Sequence, residues 1–112
     1  MKPENVLIDE EGYPKLADFG LSIDKDDKGP RPQAPKNYFV GTIDYCAPEI
    51  FKKQEFSEAQ DVWALACMIY QMVIGFTPFY SKDPRRTVQK IIQNAPDFKM
   101  FGSEFKELKD LL

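Results

Sequence analysis

From Val62 to Ile74 the chain runs thirteen residues with a single polar interruption, Gln71, and no other stretch limits the fold as much. It is too long for an ordinary strand and well short of the ~20 apolar residues needed to cross a bilayer. Ser57 with Gln60 three residues on reads as a capping box at its start, and Gly75 as its stop. Apolar residues fall on every face, which predicts a helix buried all round, with Trp63 as a structural anchor. Asp83 followed by Pro84 predicts a second helix to about Asn94, and Ser103 a third from near Glu104 to Leu112. The expected class is mainly α. At 112 residues, 43% hydrophobic and 13% aromatic, the chain has material for the modest core of one domain.

Ahead of the helices the pattern changes. Val6-Leu7-Ile8 and Lys15-Leu16-Ala17 are short β-prone runs flanking Asp9-Glu10-Glu11-Gly12, whose turn residues predict a hairpin. Its open end sets Asn5 beside Asp18, two oxygen ligands suited to a hard cation. Between Leu21 and Cys46 the run Asp24 to Pro30, then Pro32 and Pro35, predicts a mobile loop.

Composition narrows the function. The net charge is −3 from 15 basic and 18 acidic residues, with no basic run to neutralise a line of phosphates, so nucleic acid is not an expected partner. Cys46 and Cys67, with no histidine in the chain, match neither a zinc site nor a disulfide framework. A reducing, cytoplasmic setting is the default expectation. Met1-Lys2-Pro3-Glu4-Asn5 lacks the apolar stretch of a signal peptide, and no transmembrane segment is expected.

The motifs carry the chemistry. Asp18-Phe19-Gly20 has Asn5 thirteen residues before it and Ala47-Pro48-Glu49 behind it, and Met1 to Asn5 fits the last five positions of the pattern H-R-D-x-x-x-x-N. On these residues the chain resembles a eukaryotic protein kinase over its activation segment and lower lobe, residues 2 to 112. Lys2-Pro3-Glu4-Asn5 is similar to the serine/threonine-specific branch. Asn37 to Thr42, Trp63 to Gln71 and Gln89 to Ile92 resemble the AGC group, and within it the 3-phosphoinositide-dependent protein kinases.

The resemblance implies a lower-lobe fragment: a short β-hairpin and activation segment followed by three helices, serving ATP- and Mg²⁺-dependent phosphoryl transfer to Ser or Thr hydroxyls of proteins. Asp18 is then a ligand of the Mg²⁺ that bridges ATP's phosphates, and Asn5 holds a second Mg²⁺. Lys2 reaches the γ-phosphate, Glu4 sits near the ribose or receives a basic substrate side chain, and Leu7 floors the adenine. Thr42 bridges Lys2 and the general base, while Phe19, Gly20, Tyr38, Gly41, Ala47, Pro48 and Glu49 belong to the activation segment. Asp61 accepts backbone N–H groups from the catalytic loop. Taken singly, these residues have blander readings: a solvated lysine, a turn asparagine, plain hairpin packing for Leu7, and helix-dipole compensation for Asp61.

Register places the general-base Asp just before Met1, so residues 1–112 read as a partial kinase domain, and the isolated chain is expected to be inactive. Two departures stand out. Tyr38 replaces the phosphorylatable Ser or Thr that the relatives carry three residues before Gly41, and Ala66 replaces a helical Gly. Glu49 has no arginine after Arg86 to pair with. The rival expectation is a non-catalytic, pseudokinase-like module that makes kinase or regulatory protein contacts through the surface from Pro78-Phe79 to Gln93.

Overall fold

The computed structural model describes residues 1–20, 22, 43–52 and 57–111. Strands β1 (Val6–Ile8) and β2 (Pro14–Leu16) form the expected antiparallel hairpin, with Val6 opposite Leu16 and Ile8 opposite Pro14. β2 starts at Pro14, a residue earlier than the Lys15-Leu16-Ala17 run. Asp9 organises the turn: its Oδ1 accepts the N–H groups of Glu11 and Tyr13 at 3.1 and 2.7 Å, and Gly12 supplies a φ of 88°. Lys15 Nζ lies 3.3 Å from the same carboxylate.

Four α-helices follow among the described residues: α1 (Pro48–Phe51), α2 (Ala59–Ile74), α3 (Pro84–Ile92) and α4 (Lys106–Leu111). The short α1 was not foreseen, although Pro48 at its first position and Glu49 in its first turn are ordinary start signals. For α3, Asp83 caps as expected, its Oδ1 accepting the Arg85 N–H at 3.0 Å. Ser103 opens a 3₁₀ turn, Ser103–Phe105, and the α-helical bonding begins only at Lys106.

No bond of a Ser57–Gln60 capping box is seen among the described residues; α2 begins at Ala59, and Glu58 before it already has helical dihedrals, φ −62° and ψ −23°. The helix is entered through backbone bonds, Gln60 N–H to Ser57 C=O at 3.2 Å and Asp61 N–H to Glu58 C=O at 3.0 Å. Gln60 Nε2 is buried and has no hydrogen-bond partner among the described residues. At the other end Gly75 stops the helix as expected, at φ 92°, its N–H bonded to Gln71 C=O at 2.8 Å.

The core lies where the 3₁₀ turn Ile43–Tyr45 meets both α2 and α3. Ile43, Cys67, Phe79 and Ile91 form its buried centre, with Tyr45, Phe51, Trp63 and Val88 packed around them. Trp63 stacks on Phe79, ring centroids 5.3 Å apart and 7° from parallel. From α2 an aromatic ladder descends through Tyr70, Phe98, Phe101 and Phe105, successive centroids 5.5–6.1 Å apart. The Tyr70 hydroxyl donates to Asp97 C=O.

Burial of α2 is one-sided, against the expectation of a helix covered on every face. Ala64, Cys67, Met68 and Tyr70 are buried, whereas Val62 and Met72 are 67% and 73% exposed and Leu65 is also exposed. The elements described cover one flank, and the apolar residues of the opposite flank have nothing over them among the described residues. No helix among the described residues is long and apolar enough to cross a membrane. Cys46 and Cys67 are buried and not in a disulfide; burial pushes the Cys67 thiol up to about 12, which makes it a poor nucleophile.

Two measurements test this account. Trp63→Ala removes half of the stacked pair beside the core, and denaturant unfolding is expected to show a loss of about 3 kcal/mol. The Tyr13 backbone N–H, then Lys15 and the Glu11 N–H, hold the Asp9 carboxyl below its ordinary 3.8. A lowered folded-state pKa means that the hairpin's stabilisation is complete above pH 3.8 and is lost as pH falls through the folded value. Amide protection across β1 and β2, taken against the intrinsic exchange rate at each pH, should therefore fall in acid below that point, and Asp9→Ala should lower it at neutral pH.

Candidate functional site

Pro3 begins a 3₁₀ turn, Pro3–Asn5, with Lys2 extended before it and the Val6 N–H closing it onto Pro3 C=O. Proline suits that first position because its φ is preset and it has no N–H to satisfy. The turn delivers Asn5 directly into β1. On the neighbouring strand the Ala17 N–H donates to Asn5 C=O at 2.8 Å, which extends the ladder one pair past Val6 and Leu16. The next residue is Asp18. Asn5 and Asp18 thus emerge at the same open end of the hairpin, as the sequence pattern predicted.

Asp18 has a φ of 62°, in the left-handed region that costs a non-glycine residue on the order of 1 kcal/mol. Its Oδ1 lies 3.4 Å from the Gly20 N–H and its side chain is exposed. Phe19 is exposed too, and the Ser22 N–H bonds back to its carbonyl at 3.0 Å. Lys2 and Asn5 are half-buried and Glu4 is exposed. Leu7 is 56% exposed, so plain packing within the hairpin does not account for it.

The N-terminal stretch also meets α2. The Met1 amine lies 4.0 Å from Asp61 Oδ1, so Asp61, in the first turn of α2, faces the backbone leading into Lys2 while remaining 72% exposed at its side chain. That placement favours neither backbone acceptance nor helix-dipole compensation to the exclusion of the other. Burial, and then the charges of Glu4 and Asp44, push the Tyr45 hydroxyl above its usual value.

Tyr38, Gly41 and Thr42 lie outside the described residues, as does most of the loop read over Leu21 to Cys46. Its last four residues are not loop-like: Ile43 to Tyr45 form a 3₁₀ turn, and Ile43 and Cys46 are buried. Ala47 is buried and Pro48 and Glu49 open α1, Glu49 half-buried with no cation paired to it among the described residues. The proposed contact surface from Pro78-Phe79 is corrected. Pro78 and Phe79 are buried, Phe79 in the core under Trp63, because the turn after α2 folds back onto the helix; the exposed side chains of the stretch are Tyr80, Lys82 to Arg86, Gln89, Ile92 and Gln93.

Sequence reasoning missed two cross-links. The Tyr45 hydroxyl donates to Gln71 Oε1 at 2.6 Å, and the Thr77 hydroxyl donates to Asp44 Oδ1 at 3.2 Å. Gln71 was the available signal, as the one polar residue of the Val62–Ile74 run.

No three His, Cys, Asp or Glu side chains converge as a metal site among the described residues. One carboxylate and one amide oxygen at the hairpin's open end remain, a donor set too sparse to cage an ion alone. It fits Mg²⁺, which keeps several waters and takes the rest of its shell from substrate phosphates.

Comparison with known proteins agrees with this geometry. The chain is 43% identical over 96 residues to the serine/threonine-protein kinase sgk-1 of Caenorhabditis elegans, covering 86% of this chain and 20% of that protein. It is 39% identical over 93 residues to human ribosomal protein S6 kinase alpha-1, covering 83% and 12%. A human relative of the 3-phosphoinositide-dependent type is 39% identical over 100 residues, 88% and 24%. The chain spans about a tenth to a quarter of the length of these curated relatives, which belong to the AGC kinases. The family described as "Protein kinase domain" matches residues 1–111, and the chain belongs to that family.

Proposed function

We propose that this chain serves ATP- and Mg²⁺-dependent transfer of a phosphoryl group to serine or threonine hydroxyls of proteins, as part of the lower lobe of a cytoplasmic kinase. The observation that carries the reading is the Ala17 N–H to Asn5 C=O bond, which brings Asn5 and Asp18, an amide and a carboxylate thirteen residues apart in sequence, to one end of the hairpin.

In this reading Asp18 and Asn5 hold Mg²⁺, which when bound offsets the charge of ATP's phosphates. Phosphoryl transfer needs little covalent participation by the protein, so what these side chains contribute is placement and charge. Lys2, on the turn beside Asn5, places a cation where negative charge grows on the bridging oxygen. Glu4, exposed on the same turn, has room to accept a ribose hydroxyl or a basic substrate side chain. Leu7, with half its surface open, offers an apolar floor for adenine. The left-handed backbone at Asp18 fits a residue kept for its carboxylate at some cost in stability.

That combination gives the test. With residues 1–112 set in a complete kinase domain, Asp18→Gly is expected to lower phosphate transfer by about a hundred-fold or more. Because glycine accepts a φ of 62° without strain, the melting temperature should hold or rise. Near wild-type turnover in the folded variant would remove Asp18 as a metal ligand, and with it the main support for the reading.

A further inference from the structure

Between the end of α2 and the end of α3 the charge of the chain reverses. The whole sequence carries −3, yet Tyr80 to Gln93 holds Lys82, Arg85, Arg86 and Lys90 against Asp83 alone. Lys82, Arg85 and Arg86 are exposed, and none of them forms an ion pair among the described residues. Asp83 is committed to the backbone: its Oδ1 accepts the Arg85 N–H at 3.0 Å as the cap of α3.

Stability argues against this placement. Arg85 and Arg86 lie in the first turn of α3, which contains no acidic residue, and Lys82 precedes its cap. The N-terminal end of a helix carries partial positive charge, so cations there repel it and one another. The stretch is nevertheless firmly built. Lys90 Nζ donates to Tyr80 C=O at 2.9 Å, the Thr87 hydroxyl donates to Ser81 C=O at 3.4 Å, and the Asp83 N–H donates to Ser81 Oγ at 3.3 Å. These bonds fasten the Tyr80–Lys82 segment along α3. Arg86 lies one turn before Lys90 on the same row of the helix, and Lys90 reaches the Tyr80 backbone, so the cationic turn and the Tyr80 segment are neighbours on the surface. Tyr80 and Phe76 are both exposed there, their ring centroids 6.2 Å apart. Cations that the helix itself disfavours, held in place beside an open aromatic pair, are accounted for by an anion that comes from outside.

We propose that Tyr80, Lys82, Arg85 and Arg86 form a docking surface for an acidic segment of a protein partner: carboxylates of the segment pair with the ammonium and the two guanidinium groups, and an apolar side chain of the segment lies on Tyr80 and Phe76. The planar guanidinium fork matches a carboxylate with two parallel bonds. An anionic lipid surface is the poorer fit, because the cations span little more than one helical turn while the rest of the chain is acidic and is repelled by such headgroups. None of these residues is assigned to ATP or Mg²⁺, so the proposal goes beyond the phosphoryl-transfer reading and its test needs no turnover.

The test sets residues 1–112 in a complete kinase domain and titrates it with a fluorescent peptide in which leucines are interspersed among glutamates. A peptide with glutamine for every glutamate is the control. Arg85→Glu combined with Arg86→Glu is expected to weaken the acidic peptide by about ten-fold or more, and Tyr80→Ala by a smaller factor. Added salt should weaken binding to wild type and leave the charge-reversed variant nearly unmoved. The reversed variant should also melt at the wild-type temperature or above it, because it takes cations away from a helix N-terminus. A lower melting temperature would show that the arginines hold the fold, and overturns the proposal. Acidic-peptide binding that is absent, that survives the reversal, or that the glutamine peptide equals overturns it as well. Phosphatidylcholine vesicles containing phosphatidylserine are the last comparison: binding to them that is as tight as to the peptide and is lost on the same reversal replaces the protein partner with a lipid surface.

Discussion

The contact of Cys67 and Phe79 with Ile43 and Ile91 joins three separate stretches of chain, and the other described features of the helical part take their places from it. Ile43 arrives from the segment before α1, Phe79 from the turn after α2, and Ile91 from the far end of α3. Burying them together fixes where α2 stops and turns. Trp63 stacked on Phe79 extends that junction along α2, and Phe51 and Val88 seal its rim. Directional bonds act on top of this apolar contact. The Tyr45–Gln71 and Asp44–Thr77 pairs orient a turn that Ile43 has already anchored, in keeping with the larger contribution of burial to cohesion and of hydrogen bonds to geometry.

The hairpin is organised by different forces. Leu7, Ile8 and Leu16 are all exposed, so little apolar burial holds the two strands, and the Asp9 turn with its ladder bonds does most of the local work. An isolated two-stranded hairpin is marginal in water. Its apolar side chains are therefore available for other contacts. The exposed flank of α2, Val62, Leu65 and Met72, has the same character on the helical side.

Legibility in the sequence followed the kind of signal involved. The hairpin, the Gly75 stop and the Asp83 cap were readable because each depends on a local rule: turn residues, a positive φ, a side chain reaching its own backbone. The one-sided burial of α2 was not, because apolar residues on all faces state what a helix can bury and say nothing of what is there to cover it. Ser57 and Gln60 had the composition of a capping box, but composition does not fix the backbone bonds through which the helix is entered. The pairing of Asn5 with Asp18 was legible through motif spacing and hairpin register together. The clamp on Asp44 and Tyr45 spans 26 and 33 residues, and no local pattern encodes a contact at that separation.

Gln71 shows how such a contact still leaves a trace. A single amide inside an apolar run is costly when buried unless it is bonded, so its presence implies a partner even where the sequence does not say which. The same reasoning applied to Asp18 runs in the opposite direction. There the side chain is exposed and the cost lies in the backbone, at a φ of 62° that glycine would tolerate more easily. The Tyr45 bond offsets the cost at Gln71, whereas the cost at Asp18 stays in the backbone, and glycine in its place would not carry it.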